Sequence, residues 1–250
     1  FDTMSFMKSF ESLLIQKFGK TAAKPLFFTL DGEHQKARLK SLLQKSPTIH
    51  AVEEFRQQLK ELFLARHPKL KLNPREMKVQ VAEFLKSQKK KPLREQGSWA
   101  YFPWNSTLVH ILDEPDFFEL RTSRNHNLIT REEQETFKSF RTGIAGLSVG
   151  NSAALTLILE GFETMRLADF DELSLSNLNR IRGSIAQLGL NKTVMTARQI
   201  YEINPYAKLE LLPKGIKGEK ALKKFIAGPP KLQVLIDETD DVIIKIQLRV

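Results

Sequence analysis

From residue 141 onward the chain alternates short apolar runs with amphipathic stretches, and that alternation leaves few folds open. "TGIAGLS" (142–148) reads as a buried strand entering a turn, and "GNSAALTLILEGF" as the helix after it. "TMRLAD" (164–169) is a second strand, "NKTVMTARQIYEIN" (191–204) a helix ended by Pro205, and "AKLELLP" a third strand. "GEKALKKFIAG" then reads as a short surface helix and "LQVLIDE" (232–238) as the next strand. Strands separated by helices of about 10–15 residues imply a parallel sheet covered on both faces. The expected class is α/β: a Rossmann-like, mostly parallel sheet with helices on both faces, preceded by a mainly helical N-terminal region.

That N-terminal region spans 1–95. "FMKSFESLLIQKF" and "IHAVEEFRQQLKELFLARH" place apolar residues at three- and four-residue intervals. "NPREMKVQVAEFLKSQ" predicts another helix, with Asn73 as N-cap and Pro74 at the first helical position. Residues 96–140 form an aromatic connecting segment, strand-like through "TLVHIL", in which His110 reads as a packed histidine. This segment ends in a helix capped at Thr130, with Glu133 completing a capping box. The nucleotide-binding domain expected from the alternation occupies 141–250.

Composition narrows the function classes. No run of about 18 apolar residues suggests a membrane span. The absence of Cys excludes a disulfide framework, a thiolate zinc site and a nucleophilic thiol within these residues, and fits a reducing, cytoplasmic setting. The chain opens at Phe1 rather than Met and stops at Val250 inside an expected helix, which predicts a piece of a longer protein. Its net charge is +10, with 24 Lys/Arg against 17 Asp/Glu in residues 1–140. The densest patch, "KSQKKKPLR" (86–94), reads as a solvated linker, although such a run can also attract nucleic acid, an acidic protein or an anionic membrane. No zinc-finger spacing or RNA-recognition signature supports nucleic acid.

In open parallel sheets, ligands bind beyond the carboxyl ends of the strands. "GLSVG" (146–150) is the first such end: Gly146 and Gly150 permit a tight turn, Ser148 lies between them, and the following helix points its positive end at an anion. Asp169 ends the second strand, where a carboxylate meets ribose hydroxyls in dinucleotide folds. To that point a nicotinamide cofactor and ATP are equally well served. Asn177 and Arg180 in "SNLNR", followed by Lys192, add the cation density that a triphosphate needs. "IDETDD" (236–241) places Asp237, Asp240 and Asp241 at another strand end, where acids tolerate phosphate only with a hard cation between them. ATP with Mg²⁺ is the expected ligand pair.

"DFDELSLSNLNR", the downstream Lys192, "INP" (203–205) and "IDETDD" resemble the ThiF/MoeB/HesA family of adenylating enzymes, relatives of ubiquitin-activating enzymes, from about residue 121 onward. The resemblance implies Asp169 on the ribose, and Asn177, Arg180 and Lys192 on phosphates. It also implies Asp240 on Mg²⁺, with Asp241 beside it, and Arg121, or alternatively Arg124, reaching the ATP of a partner subunit in a homodimer. The implied reaction activates a carboxylate, usually the C-terminus of a small ubiquitin-like or sulfur-carrier protein, as an acyl-adenylate. "AGLSVG" departs from the family's G-x-G-G-x-G turn, Asp241 replaces its usual Asn, and Lys245 its frequent Arg. The combination also resembles a divergent subgroup sometimes joined to a nitroreductase-like domain. A non-catalytic nucleotide-binding module and a nicotinamide- or flavin-linked oxidoreductase component are the rival readings.

Overall fold

The computed structural model describes residues 22–46, 48–69, 73–87 and 91–248. In chain order the elements are β1 (Leu26–Phe28), α1 (Glu33–Lys45), β2 (His50–Glu53), α2 (Phe55–Arg66), α3 (Pro74–Ser87), β3 (Ser98–Phe102), β4 (Thr107–Ile111), α4 (Glu114–Thr122) and α5 (Arg131–Ser139). There follow β5 (Arg141–Ala145), α6 (Gly150–Leu159), β6 (Thr164–Ala168), α7 (Lys192–Ile203), β7 (Lys208–Leu212), α8 (Glu219–Ala227), β8 (Val234–Asp237) and α9 (Val242–Leu248).

The second half is the expected parallel sheet, in the order β7-β6-β5-β8, with every pairing parallel. Its strands sort their side chains with a period of two. Ile144, Met165 and Leu167 face α6 and α7, where they meet Ala154, Ile158, Ala197 and Ile200. Ala145 and Ala168 face the other way, onto Phe225 of α8 and Leu248 of α9. Gly143 has no room for more: a Cβ there would lie 2.3 Å from Leu232 and 3.0 Å from Phe225. Arg166, on the same face, is nearly fully buried; it bonds Glu210 at 2.5 Å and the Phe225 carbonyl at 2.6 Å, closing the carboxyl end of α8.

The N-terminal region is mainly helical, as expected, but it also builds a second sheet in the order β1-β3-β4-β2. Here the sequence reading needs correcting at 49–54. The apolar spacing of α2 extends upstream through Val52, yet His50–Glu53 pairs in parallel with β4 as an edge strand, and the helix begins only at Phe55. α3 begins as read: Asn73 Oδ1 accepts from the amides of Arg75 and Glu76 at 3.0 Å. The capping box of Thr130 and Glu133 is formed at the start of α5. "FMKSFESLLIQKF" lies outside the described residues, which begin at Ala22. Ala100, Phe102 and Ile111 of the second sheet enter the same apolar cluster as α6 and α7, so the two sheets share a core.

His110 is fully buried, as a packed histidine should be. Its Nδ1 lies 2.6 Å from Glu53 Oε2 and its Nε2 2.7 Å from the Gln96 carbonyl. Its ring is stacked between Phe55 and Trp99, with centroids at 4.2 and 4.3 Å.

Candidate functional site

The chain lays down β5, β6 and β7 in one direction and then returns to place β8 on the far side of β5. Strand order therefore reverses between β5 and β8, which is where open α/β sheets place a ligand crevice, outside the strands' carboxyl ends. Gly146 lies just after β5 at this reversal with φ +83°, and a Cβ there would sit 2.4 Å from the Glu238 carbonyl oxygen. Only glycine combines that conformation with so close an approach. Gly150 opens α6, where a Cβ would come within 2.8 Å of Ile144, so the helix seats tightly and aims its amino end at the crevice.

Asp169 is buried at the end of β6. Its Oδ2 accepts from the Leu147 amide at 2.6 Å and its Oδ1 from the Asp171 amide at 2.8 Å, tying β6 to the glycine turn. Each carboxylate oxygen keeps a further lone pair. Lys192, only 3% exposed, starts α7 and reaches across: its Nζ lies 3.1 Å from Ser148 Oγ and 2.8 Å from Asp171 Oδ2. Gly146, Ser148, Gly150, Asp169 and Lys192 are thus brought together.

The remaining expected residues are placed differently. Asn177 Oδ1 accepts from the Ser174 amide at 3.1 Å within a local turn. Arg180 is exposed and donates to Asn179 Oδ1 at 2.9 Å. Both lie on the loop after β6, and neither side chain hydrogen-bonds Lys192 or Asp169. Asp240 is exposed, and its carboxylate makes no hydrogen bond or ion pair among the described residues. Asp241 instead caps α9, its Oδ1 accepting from Ile243 at 2.8 Å and Ile244 at 3.2 Å. Asp237 is held by Thr239 and lies 3.6 Å from Lys245. Burial pushes the Asp237 carboxyl up, but the Thr239 bonds and Lys245 outweigh it and leave it below its ordinary range.

Arg121 sits elsewhere. Its Nη1 donates to the carbonyl of Ile158 at 2.7 Å, closing the carboxyl end of α6. Ile158 lies eight residues along the helix from Gly150, a distance of about 12 Å. Nε and Nη2 are buried with no hydrogen-bond partner among the described residues. Burial lowers the guanidinium's pKa, with nearby Glu163 opposing. Arg124, on the next turn, is exposed.

Three contributors escaped the sequence reading. Asn191 caps α7 through Thr193, while its Nδ2 lies 3.2 Å from the carbonyls of Asp169, Asp171 and Pro213, lashing the ends of β6 and β7 together. Asp171 is the acid that positions Lys192. Phe170 is an exposed ring beside these acids, with Lys217 Nζ 4.3 Å from its centroid. An N-cap asparagine ahead of a lysine was the available signal for the first; the other two depend on contacts distant in sequence. A cavity of about 980 Å³ lies at the opposite, amino-terminal ends of β5–β7, among Arg141, Glu163 and Lys208, and does not include the glycine turn.

The model of the ThiF family matches residues 122–250, just over half of the chain. The chain belongs to the ThiF family. It is 36% identical over 220 residues to an uncharacterized protein of Mycobacterium tuberculosis, covering 88% of this chain and 28% of that one. It is 33% identical over 134 residues to the molybdopterin-synthase adenylyltransferase of Haemophilus influenzae, covering 52% of this chain and 54% of that enzyme. Against the tRNA threonylcarbamoyladenosine dehydratase of Bacillus subtilis the figures are 30% over 128 residues, 50% of this chain and 49% of the relative. The chain therefore spans about half the length of these two enzymes, and less of the mycobacterial protein. Among solved structures, the Escherichia coli dehydratase TcdA aligns with TM-score 0.49 at 23% identity over 52% of this chain and 54% of that one, and TcdA has also been solved with ATP. This ThiF-family chain thus has adenylyltransferase-type enzymes among its relatives. Among its described residues no helix is long and apolar enough to cross a membrane.

Proposed function

We propose that this chain carries the ATP-binding part of an enzyme that activates a carboxylate as an acyl-adenylate. The observation that carries the reading is Lys192, a buried ammonium held between Ser148 and Asp171 at a strand-order reversal, beneath a glycine turn and a helix amino end. A buried cation beside a helix amino end suits a polyphosphate. ATP would lie across the turn with its ribose toward Asp169 and its phosphates toward Lys192, and Arg180 and Asn177 would join from the loop after β6. Phe170 offers an apolar face at the same rim.

The substrate carboxylate oxygen attacks the α-phosphorus, the new C–O–P linkage forms, and the bond to the β-phosphate bridging oxygen breaks to release pyrophosphate. The chain's part is to hold the phosphates in line and neutralise charge on the departing group. Asp240, exposed and unengaged, fits a Mg²⁺ site of one carboxylate plus phosphate oxygens, whereas Asp241 is largely committed to α9. When bound, the metal would screen the phosphate charges. Among the described residues no group of three or more His, Asp or Glu is arranged to hold an ion without such help.

The substrate we propose is a small carrier protein's C-terminus or another carboxylate, with the enzyme acting as a cytoplasmic homodimer. Arg121 is engaged on α6, so exposed Arg124 is the better candidate for a contact across the dimer. The test is isotope exchange between pyrophosphate and ATP in the full-length protein, with and without candidate carboxylates. Tight ATP binding without exchange for any carboxylate would leave only the binding module.

A further inference from the structure

α7 brings more to the nucleotide site than its first residue. Lys192, Met195, Thr196 and Gln199 recur at three- and four-residue intervals and form one stripe of the helix. Two segments meet that stripe. The loop after β6 packs on it just beyond Arg180: Ile181 is buried in one cluster with Met195, and a Cβ at Gly183 would lie 3.3 Å from Met195 Sδ. Between these two, the Arg182 carbonyl accepts from Gln199 Nε2. From α6, fully buried Asn151, the neighbour of Gly150, donates through Nδ2 to Thr196 Oγ1 at 2.9 Å and to Gln199 Oε1 at 2.8 Å.

Donor and acceptor chemistry fixes the direction of this relay. A backbone carbonyl only accepts, so Gln199 turns its amide nitrogen to Arg182 and its oxygen to Asn151. Asn151 must then present its nitrogen, and its Oδ1 is left buried with no hydrogen-bond partner among the described residues. Joining α6 to α7 alone needs no such relay, because apolar side chains of the same shape pack two helices without an orphaned acceptor. The relay adds a hold on the backbone two residues after Arg180, from the helix that begins with Lys192. We infer that Gln199 is a positioning residue of the nucleotide site, holding the Arg180 loop in register with Lys192 and the amino end of α6. Its effect on phosphates rests on the ATP reading proposed for this site, whereas the hold on Arg182 is read without ATP.

In ATP-free, full-length protein, Gln199→Leu should speed hydrogen exchange at the Ile181 and Gly183 amides about fivefold, the worth of one hydrogen bond. Both amides are bonded within the loop, to Asn177 and Ile181. By calorimetry the same change should weaken ATP about fivefold. In an Arg180→Ala background it should cost about twofold or less, because two residues acting through one contact are not additive. Gln199→Ala repeats each measurement with a shorter side chain. Trp104→Ala, which loosens the last turn of α7, is the destabilised control: its loop amides and ATP affinity should stay near wild type. Thermal melts confirm folding. Unchanged amide exchange in both Gln199 variants, or an ATP loss that adds in full to that of Arg180→Ala, would overturn the inference and leave adenylation standing. Faster amide exchange and a non-additive ATP loss, in a protein that exchanges no pyrophosphate with any carboxylate, would overturn adenylation and keep Gln199 in its role.

Discussion

Trp104 Nε1 donates to Glu202 Oε1 at 2.6 Å, joining the tip of the β3–β4 hairpin to the last turn of α7. Asn105 adds a bond to the same oxygen, and the Arg198 guanidinium lies over the Trp104 ring. One helix therefore carries the site lysine at its amino end and the N-terminal sheet toward its carboxyl end. Trp104→Ala should cost about 1–3 kcal/mol of stability, read from denaturant melts. ATP affinity, measured by calorimetry, should hold, because Asn191 fixes the amino end of α7 independently.

Lys192→Ala removes a buried cation whose partner, Asp171, is half-exposed and can be solvated. Its stability cost should therefore be modest. The exchange rate should fall by about 10²–10³, as losing one charge-assisted contact at a transition state commonly costs. Arg180→Ala should follow the same pattern with a smaller fall. Equal exchange in wild type and Lys192→Ala would remove the lysine from the mechanism.

The neighbouring acids should separate cleanly. Asp241→Ala loses the cap of α9 and should lower stability by about 1 kcal/mol while keeping most Mg²⁺-dependent ATP affinity. Asp240→Ala should do the reverse. Calorimetry with and without Mg²⁺, beside thermal melts, reads both; reversed outcomes would exchange the two roles.

Arg121→Ala should act on stability, by about 1–2 kcal/mol through loss of a cation at a helix carboxyl end. If a trans contact comes from Arg124, mixing Arg124→Ala with Lys192→Ala subunits should restore up to about a quarter of the activity through two-fold pairing. Mixing Arg121→Ala with Lys192→Ala should show no such complementation. Recovery only in the second mixture would return the role to Arg121.

Glu163 is nearly fully buried, and burial raises its pKa above the ordinary carboxylate value despite Lys138 at 4.0 Å and a bond from Asn204. Between the unfolded and folded pKa values the folded state holds more protons, so stability falls as pH rises through that window. Glu163→Gln should flatten this slope and melt higher than wild type at pH 7. A lower melting temperature at pH 7 would show that the Lys138 pairing outweighs burial.

The parallel sheet was legible because each strand and helix announces itself locally: short apolar runs around Ile144 and around Met165 and Leu167 end at Gly146 and Asp169, and Asn73 and Thr130 carry caps within three residues. His50–Glu53 was not, because its strand state depends on β4, more than fifty residues away. The same divide runs through the site. Gly146, Asp169 and Lys192 stand at strand and helix ends that local pattern defines. Arg121 offers the same guanidinium to a phosphate or to Ile158, and only tertiary contact distinguishes them. Asp241 beside Asp240 likewise reads as a pair of ligands until the start of α9 is known.

The strand order also decides how a ligand would act on the domain. The turn and Lys192 belong to the well-packed β5–β6–β7 side, while Asp240 hangs from β8, whose α9 leaves Val242, Ile243 and Ile246 largely in solvent. A molecule gripping both walls is a crosslink across this boundary. Its binding free energy would be felt unequally: amides from Asp237 through Leu248 would gain the most exchange protection, and the deeply buried strands would gain little.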